Sequence, residues 1–185
     1  MTLSTVDEFG FFLGVTFTDA QAERAQLLLE LATGAIQRFT RQTIELVEND
    51  VAVLHGTWSA GLVLPQVPVV SVSALTLDVE GVATADTDWV FDGQRTLWRD
   101  AGCSWGGDTQ KITVTYSHGW EEIPAEVRAV CLQIAARSYR NPAGVSAESV
   151  GQYSVTYGSG AQGISLTPDE KTMLRSLRNK WVSAL

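Results

Sequence analysis

Lys111-Ile-Thr-Val-Thr-Tyr-Ser-His-Gly-Trp-Glu-Glu-Ile-Pro-Ala-Glu-Val-Arg128 holds the change of period on which the fold class turns. Up to Tyr116 the apolar residues alternate, with Ile112, Val114 and Tyr116 on one side, the pattern of a half-buried strand. From Pro124 onward they recur at three- and four-residue steps. Val127, Val130, Cys131, Ile134, Ala135 and Ser138 therefore share one face of a helix. Pro124 suits the first position of that helix because it has no N–H to leave unbonded. The helix should stop before Asn141-Pro142, since the residue ahead of a proline is pushed out of the helical region.

Towards the amino terminus, period two persists back to Thr43. Thr43–Val47 and Val51–Leu54 flank Glu48-Asn49-Asp50, a hairpin-like break. Leu62–Leu64 runs into Pro65 and Pro68, which mark the start or edge of a strand. Val70–Val79 alternates with Val70 and Val72 on one face, and its phase slips at Ala74-Leu75 as at a bulge. Trp89–Phe91 and Thr96–Trp98 flank Asp92-Gly93, the signal of a tight primed turn. Further back lie two capping boxes, Thr5-Val-Asp-Glu8 and Thr18-Asp-Ala-Gln21. The first starts a short helix through Phe9 and Phe12 that ends near Gly14. The second starts a long one with an apolar stripe through Ala22, Ala25, Leu28, Leu29, Ala32, Ile36 and Phe39, ending near Arg41.

Towards the carboxyl terminus, residues 143–163 are rich in Gly, Ser and Ala around one alternating stretch, Tyr153, Val155 and Tyr157. Thr167-Pro-Asp-Glu170 combines a cap, a proline at the first helical position and a capping-box glutamate. It predicts a helix over Thr167–Trp181 with Met173, Leu174, Leu177 and Trp181 along one face. The strands are contiguous in sequence, which favours α+β over an alternating parallel fold. The expected architecture is a small helical core of about four helices with an antiparallel β insertion between the second and third. Residues 1–140 form the core, with helices over 1–41 and 124–140 and the insertion over 43–117. Residues 141–185 form a flexible arm with one strand and a helix.

Composition narrows the function. Charged residues make up 18% of the 185, against roughly 25% for an average soluble domain, so much of the surface is neutral and suited to burial against partners. The net charge of −8 disfavours tight duplex binding, which draws its affinity from phosphate neutralisation. Residues 1–123 carry 6 Lys/Arg against 17 Asp/Glu and residues 124–185 carry 7 against 4, so the two parts suit different surfaces. Cys103 and Cys131 fit no metal or redox spacing and read as reduced thiols of a protein made in the cytoplasm. Met1–Gly14 lacks the basic start of a signal peptide, and no apolar run approaches the roughly 20 residues of a membrane span.

Residues able to carry chemistry are few. His55 and His118 have no His or Cys partner at ligand spacing. Ser117-His118 is not a triad, whose members meet in space rather than in sequence, and His118 reads as a turn histidine. Asp86, Asp88 and Asp92 resemble a fragment of a calcium loop without its central glycine and closing glutamate, and read better as solvated hairpin acids. Gly102, Gly106 and Gly107 are not followed by the Gly-Lys-Ser/Thr of a phosphate loop. Trp58, Trp89, Trp98, Trp105 and Trp120 fall in or beside the strand region as core residues, an interface, or a sugar platform.

Four stretches, taken in order, resemble one family: Leu64–Val72 with its two prolines, Val114–Trp120, Ile123–Arg128 continuing to Ala135–Pro142, and Glu148–Tyr157. With the Thr18–Arg41 helix they resemble the head–tail connector, or adaptor, proteins of long-tailed siphovirus bacteriophages, especially those of actinobacterial phages. The resemblance implies a virion structural protein of the capsid–tail neck, assembled in the host cytoplasm, with no catalytic residue, cofactor or metal. It implies a cyclic ring of neighbouring adaptor subunits, a dodecamer by expectation, docked under the portal protein and linked to the head-closure or stopper protein. DNA would pass through the lumen without specific binding, and no membrane is involved. Arg175, Leu177, Arg178, Lys180 and Trp181 are the expected portal-docking residues. Tyr153, Val155 and Tyr157 are expected to form a strand added to a neighbouring subunit. The alternatives are another neck protein, such as a stopper or tail terminator, and a carbohydrate-binding β module.

Overall fold

Both amino-terminal caps form in the computed structural model, which describes residues 2–78, 81–83, 88–99, 103–141, 147–150, 153–156 and 163–179. At the start of α1 (Val6–Leu13), Thr5 Oγ1 accepts the Glu8 N–H at 3.2 Å. The Glu8 carboxylate in turn accepts the Thr5 N–H at 3.0 Å and the Ser4 hydroxyl at 2.6 Å. Gly14, at φ 71°, closes the helix in the left-handed region open to glycine. Gln21 reaches back to the Thr18 N–H at 2.9 Å to start α2 (Asp19–Thr40). Arg41 ends α2 in the same left-handed region at φ 59°.

The described residues divide into two units, those of 2–41 with 122–178 and those of 42–121 with 179. The first is helical. α2 packs on α3 (Ala125–Arg140), and α1 packs on both. Ala25, Leu29, Ala32 and Ile36 of α2 and Val127, Val130, Ile134 and Ala135 of α3 are buried. Each large one contributes roughly 1.5–3 kcal/mol. Thr33 Oγ1 accepts the Leu3 N–H at 3.1 Å and lies 4.0 Å from Cys131 Sγ, whose thiol burial pushes up to about 11. Phe9, Phe17 and Tyr139 form an aromatic cluster with centroids 5.6–5.9 Å apart. Arg24 stacks 4.8 Å above Tyr139 and donates to its carbonyl. Pro124 stands at the N-cap of α3, one position earlier than expected, and Asn141 ends the helix as its proline neighbour requires.

Two expectations for the carboxyl-terminal part are corrected. The strand at Tyr153 is not isolated: β9 (Tyr153–Thr156) pairs antiparallel with β8 (Ala147–Val150), the segment just before it. The last helix, α4 (Pro168–Met173), is shorter than Thr167–Trp181. Past Met173 the backbone tightens to three-residue bonds, Arg175 N–H to Thr172, Leu177 N–H to Leu174 and Arg178 N–H to Arg175. Nor does α4 stand clear of the helical unit. Glu170, 5% exposed, pairs with Arg137 of α3 at 2.9 Å, Arg137 also donates to the Ser165 carbonyl at 2.6 Å, and Leu174 is fully buried.

The second unit is built from antiparallel strands. One sheet has the order β1-β7-β3-β4, with β1 Val47–His55, β7 Lys111–His118, β3 Val69–Leu77 and β4 Gly81–Ala83. The other has the order β2-β6-β5, with β2 Gly61–Val63, β6 Thr96–Arg99 and β5 Trp89–Phe91. The two sheets share one core. Central β7 supplies Ile112, Val114 and Tyr116, all fully buried as their alternation predicts, and Leu62, Leu64, Leu75, Leu77, Trp89, Leu97 and Trp105 complete it. Trp105 Nε1 donates to the Ala60 carbonyl at 2.7 Å and the Leu97 carbonyl at 3.2 Å, which satisfies the indole inside the core.

Three local readings differ from the structure. Glu48-Asn49-Asp50 is no hairpin break. It is a bulge in one continuous strand, where Glu48 and Asn49 oppose Ser117 alone, with Asn49 at φ 52° donating its N–H to Ser117 Oγ. The β5–β6 hairpin has a three-residue loop rather than a two-residue turn, because Asp92 N–H still bonds the Thr96 carbonyl at 3.0 Å. In β3 the phase does slip between Val72 and Ala74, and an earlier slip between Val69 and Ser71 leaves Val70 exposed and Val72 half-buried.

The chain enters and leaves this unit side by side. Trp120 N–H donates to the Ile44 carbonyl at 2.9 Å and Leu46 N–H to the Trp120 carbonyl at 3.0 Å, a parallel bridge between Glu45 and Trp120. Gly119 makes this approach possible. Its φ is 97°, and a Cβ there would overlap the Glu45 carbonyl oxygen. Gly119→Ala should therefore destabilise the β unit by at least the roughly 1–3 kcal/mol of a non-glycine held in such a region. Urea unfolding followed by tryptophan fluorescence checks this, and an unchanged midpoint contradicts it. Glu170→Ala should cost on the order of 3 kcal/mol by stranding the Arg137 guanidinium. A helical circular-dichroism melt within a degree of wild type would mean that the Arg137–Glu170 pair does not anchor α4.

Candidate functional site

Among the described residues, the types that could make an active site do not converge. His118 lies at the end of β7, 1% exposed, with Nε2 3.1 Å from Asp50 Oδ2 of β1. Alternation along the strand sends Ser117 to the opposite face from His118, where its hydroxyl accepts the Asn49 N–H. A Ser-His-Asp relay is therefore not assembled at this dyad, which joins two strands. His55 is exposed at the end of β1. Of the three hairpin acids, Asp86 lies outside the described residues. Asp92 serves the loop: its Oδ1 accepts the N–H groups of Gln94, Arg95 and Thr96 at 2.7–3.0 Å. Desolvation alone would raise its carboxyl, but these amide bonds outweigh that and hold it below the usual range. Among the described residues no group of three His, Cys, Asp or Glu side chains is placed to hold a metal ion. Cys103 and Cys131 are free thiols, and no described helix is long and apolar enough to cross a membrane.

The tryptophans divide between core and surface. Trp89 and Trp105 are buried in the β unit, while Trp58 is 76% and Trp98 50% exposed. The Trp98 ring covers Gly61, its cross-strand partner, beside exposed Val90. On the other sheet Val51 and Val53 are exposed opposite Thr115 and Thr113, an uncharged β-branched face. These surfaces offer neutral contact area rather than chemistry.

The expected docking residues are only partly described. Arg175 and Arg178 are exposed and Leu177 is half-buried. Arg178 lies 5.5 Å above the Phe39 ring of α2. Lys180, Trp181 and Tyr157 lie outside the described residues. Tyr153 and Val155 fall on β9.

The helical unit carries two surfaces that the sequence reading passed over. On α1, Phe11 is 92% and Phe12 48% exposed, and with Asp7, Glu8, Arg128 and Leu132 they line a shallow depression. Behind α2 an open groove of about 660 Å³ runs along Leu31, Gly34 and Arg38 to Ile164, Leu166 and Lys171. The signals were present. Phe9, Phe11 and Phe12 cannot all lie on one helical face, and Leu27 and Leu31 repeat at four residues outside the Leu29 stripe.

Comparison with solved structures finds a chain described as the neck of an empty gene transfer agent (GTA) particle computed with C6 symmetry. It is 21% identical in sequence, with a TM-score of 0.56 and coverage of 99% of this chain and 92% of that one. This likeness shows a shared fold over essentially the whole sequence. No protein-family model and no curated protein matches the chain.

The α1 surface depends on Glu8. The Ser4 hydroxyl first and the Thr5 amide second hold its carboxyl below the ordinary value of 4.5, with help from Arg128 at 3.4 Å and against a smaller penalty of burial. A depressed carboxyl contributes stability that is present above the unfolded value and is lost as pH falls through the folded one. Acidification below 4.5 should therefore loosen α1. Glu8→Gln should flatten that part of the stability profile while lowering stability at neutral pH. Urea midpoints measured between about pH 3 and 6 test the sign, and parallel profiles for the two proteins would contradict it.

Proposed function

We propose that the chain is a non-enzymatic structural component of the neck of a phage-like particle, and within the neck the head–tail connector. The observation that carries this is the fold shared with a gene transfer agent neck chain over 99% of the sequence. The ordered motifs from Leu64 to Tyr157 support it independently, since they resemble siphovirus connectors. Low charge suits a ring buried against partners, and an acidic chain suits a conduit that DNA slides through without gripping. The partners of this reading are the portal, neighbouring copies of the chain and a head-closure or stopper protein. C6 symmetry of the neighbouring neck accommodates the expected dodecamer as readily as a hexamer.

In this reading the segment from Arg175 to Trp181, beyond buried Leu174, engages the portal, with Arg175 and Arg178 meeting acidic groups. The β8–β9 hairpin offers its edges, through Tyr153 and Val155 of β9, to a neighbouring subunit. A stopper or tail terminator is the nearest rival, on the strength of the nine strands described. A sugar-binding module is less well supported, because Trp89 and Trp105 are spent on the core.

Loss of this protein from the particle that encodes it should leave DNA-packaged heads and separate tails, and a copy supplied in trans should restore joined particles. Electron micrographs of lysates read the outcome. Intact tailed particles in its absence would refute a neck role, and headless tail defects would point to the terminator instead.

A further inference from the structure

α2 divides its circumference between two neighbours. At about 100° per residue, buried Ala25, Leu29, Ala32 and Ile36 face α1 and α3, while Leu27, Leu31 and Arg38 lie on the opposite side. Leu27 is 54% and Leu31 46% exposed there. The groove behind α2 has an apolar floor of Leu31, Phe39 and Leu166 and, beside Arg178 of the portal segment, a basic wall of Arg38 and Lys171. Arg41 adds a fourth cation at its end and Glu30 a single acid, in a chain whose net charge is −8. Elsewhere on the helical unit, α1 presents Phe11 and Phe12 with Asp7 one turn before Phe11 on the same face, beside Arg128 and Leu132 of α3. Residues 1–23 hold four acids, Asp7, Glu8, Asp19 and Glu23, and no Lys or Arg.

We propose that the Phe11–Phe12 surface of one copy seats in the basic, apolar groove behind α2 of the next. With Glu8 paired to Arg128, Asp7 is the acid left to oppose the cations of the groove; both surfaces are apolar at the centre, and they are distinct patches of one unit. A contact of that kind is head-to-tail, and repetition of it closes a ring when the rotation per copy divides the circle. A self-complementary patch would give a two-fold dimer instead. Asn179, the residue after Arg178, is bonded to Pro65 and Arg95. The inference rests on the ring reading above and adds to it the two faces that meet.

Cysteine pairing tests it on the full chain in assembled necks. In a Cys103→Ser background, which removes the exposed native thiol, Phe11→Cys and Leu31→Cys placed together should give a ladder of multimers on oxidation. Either alone should stay monomeric on a denaturing gel. Charge exchange gives a second readout. Arg38→Glu should weaken assembly by about tenfold or more, and Asp7→Arg in the same chain should restore it. Rings seen by native mass spectrometry with no ladder from the double-cysteine chain would overturn this contact and leave the ring reading standing. Dimers from Phe11→Cys alone would overturn it in favour of a two-fold patch. Absence of any ring would sink both the contact and the neck reading.

Discussion

The parallel bridge between Glu45 and Trp120 is the constraint on which the rest of the structure depends. It ties the start of an eighty-residue β unit to its end, so α2 and α3, far apart in sequence, can still pack as neighbours. A flexible loop of that length would charge the helix pair its closure entropy. A folded insertion with its own core settles that cost internally and hands the chain back within about one strand spacing of where it received it. Gly119 is the residue that permits the approach, since any side chain there would meet the Glu45 carbonyl. The same logic explains the core around β7. Ile112, Val114 and Tyr116 of that central strand lie in the core shared with the other sheet, and its two neighbours hold both of its edges.

The helical unit is held by a different device. Its stripes are ordinary, but its ends are fixed by charged groups set into partly dry surroundings: Glu8 with Ser4, Thr5 and Arg128 at one end, Arg137 with Glu170 and the Ser165 carbonyl at the other. The buried Glu170 carboxylate adds little net stability over an apolar packing, yet removing one partner of its pair is costly, whereas the more exposed Glu8–Arg128 pair is screened by solvent. These contacts specify where α1 and α4 sit. With those helices pinned, Phe11, Phe12 and the groove behind α2 are left at the surface.

Much of this was legible in the sequence because periodicity and capping act locally. The boxes at Thr5, Thr18 and Thr167, the alternation of Ile112, Val114 and Tyr116 and the helical stripe from Val127 to Ser138 all appear where the residues place them. What failed was set by pairing. Asn49 reads as a turn residue, and only its register against Ser117 makes it a bulge. Ala147–Val150 carries no alternation of its own and becomes a strand because β9 lies beside it. The Thr167 helix stops at Met173 although the apolar face continues to Trp181, a competition that the pattern does not encode. Of the residues expected to dock on the portal, Arg175 and Arg178 are exposed and Leu177 is half-buried. Phe11 and Leu31 were missed because an apolar residue on a helix is assigned to the core by default.

A fold can host many functions, so the functional claim rests on the combination of a shared fold with a neck chain, a connector-like motif order and a surface made for contact rather than chemistry. Native mass spectrometry of the purified full-length chain mixed with the portal protein of the same particle tests that claim most directly. The account predicts a single complex of portal with a closed ring of this chain, its copy number a multiple of six. A chain that stays monomeric beside an intact portal at concentrations of tens of micromolar, the range in which transient complexes still form, would contradict it.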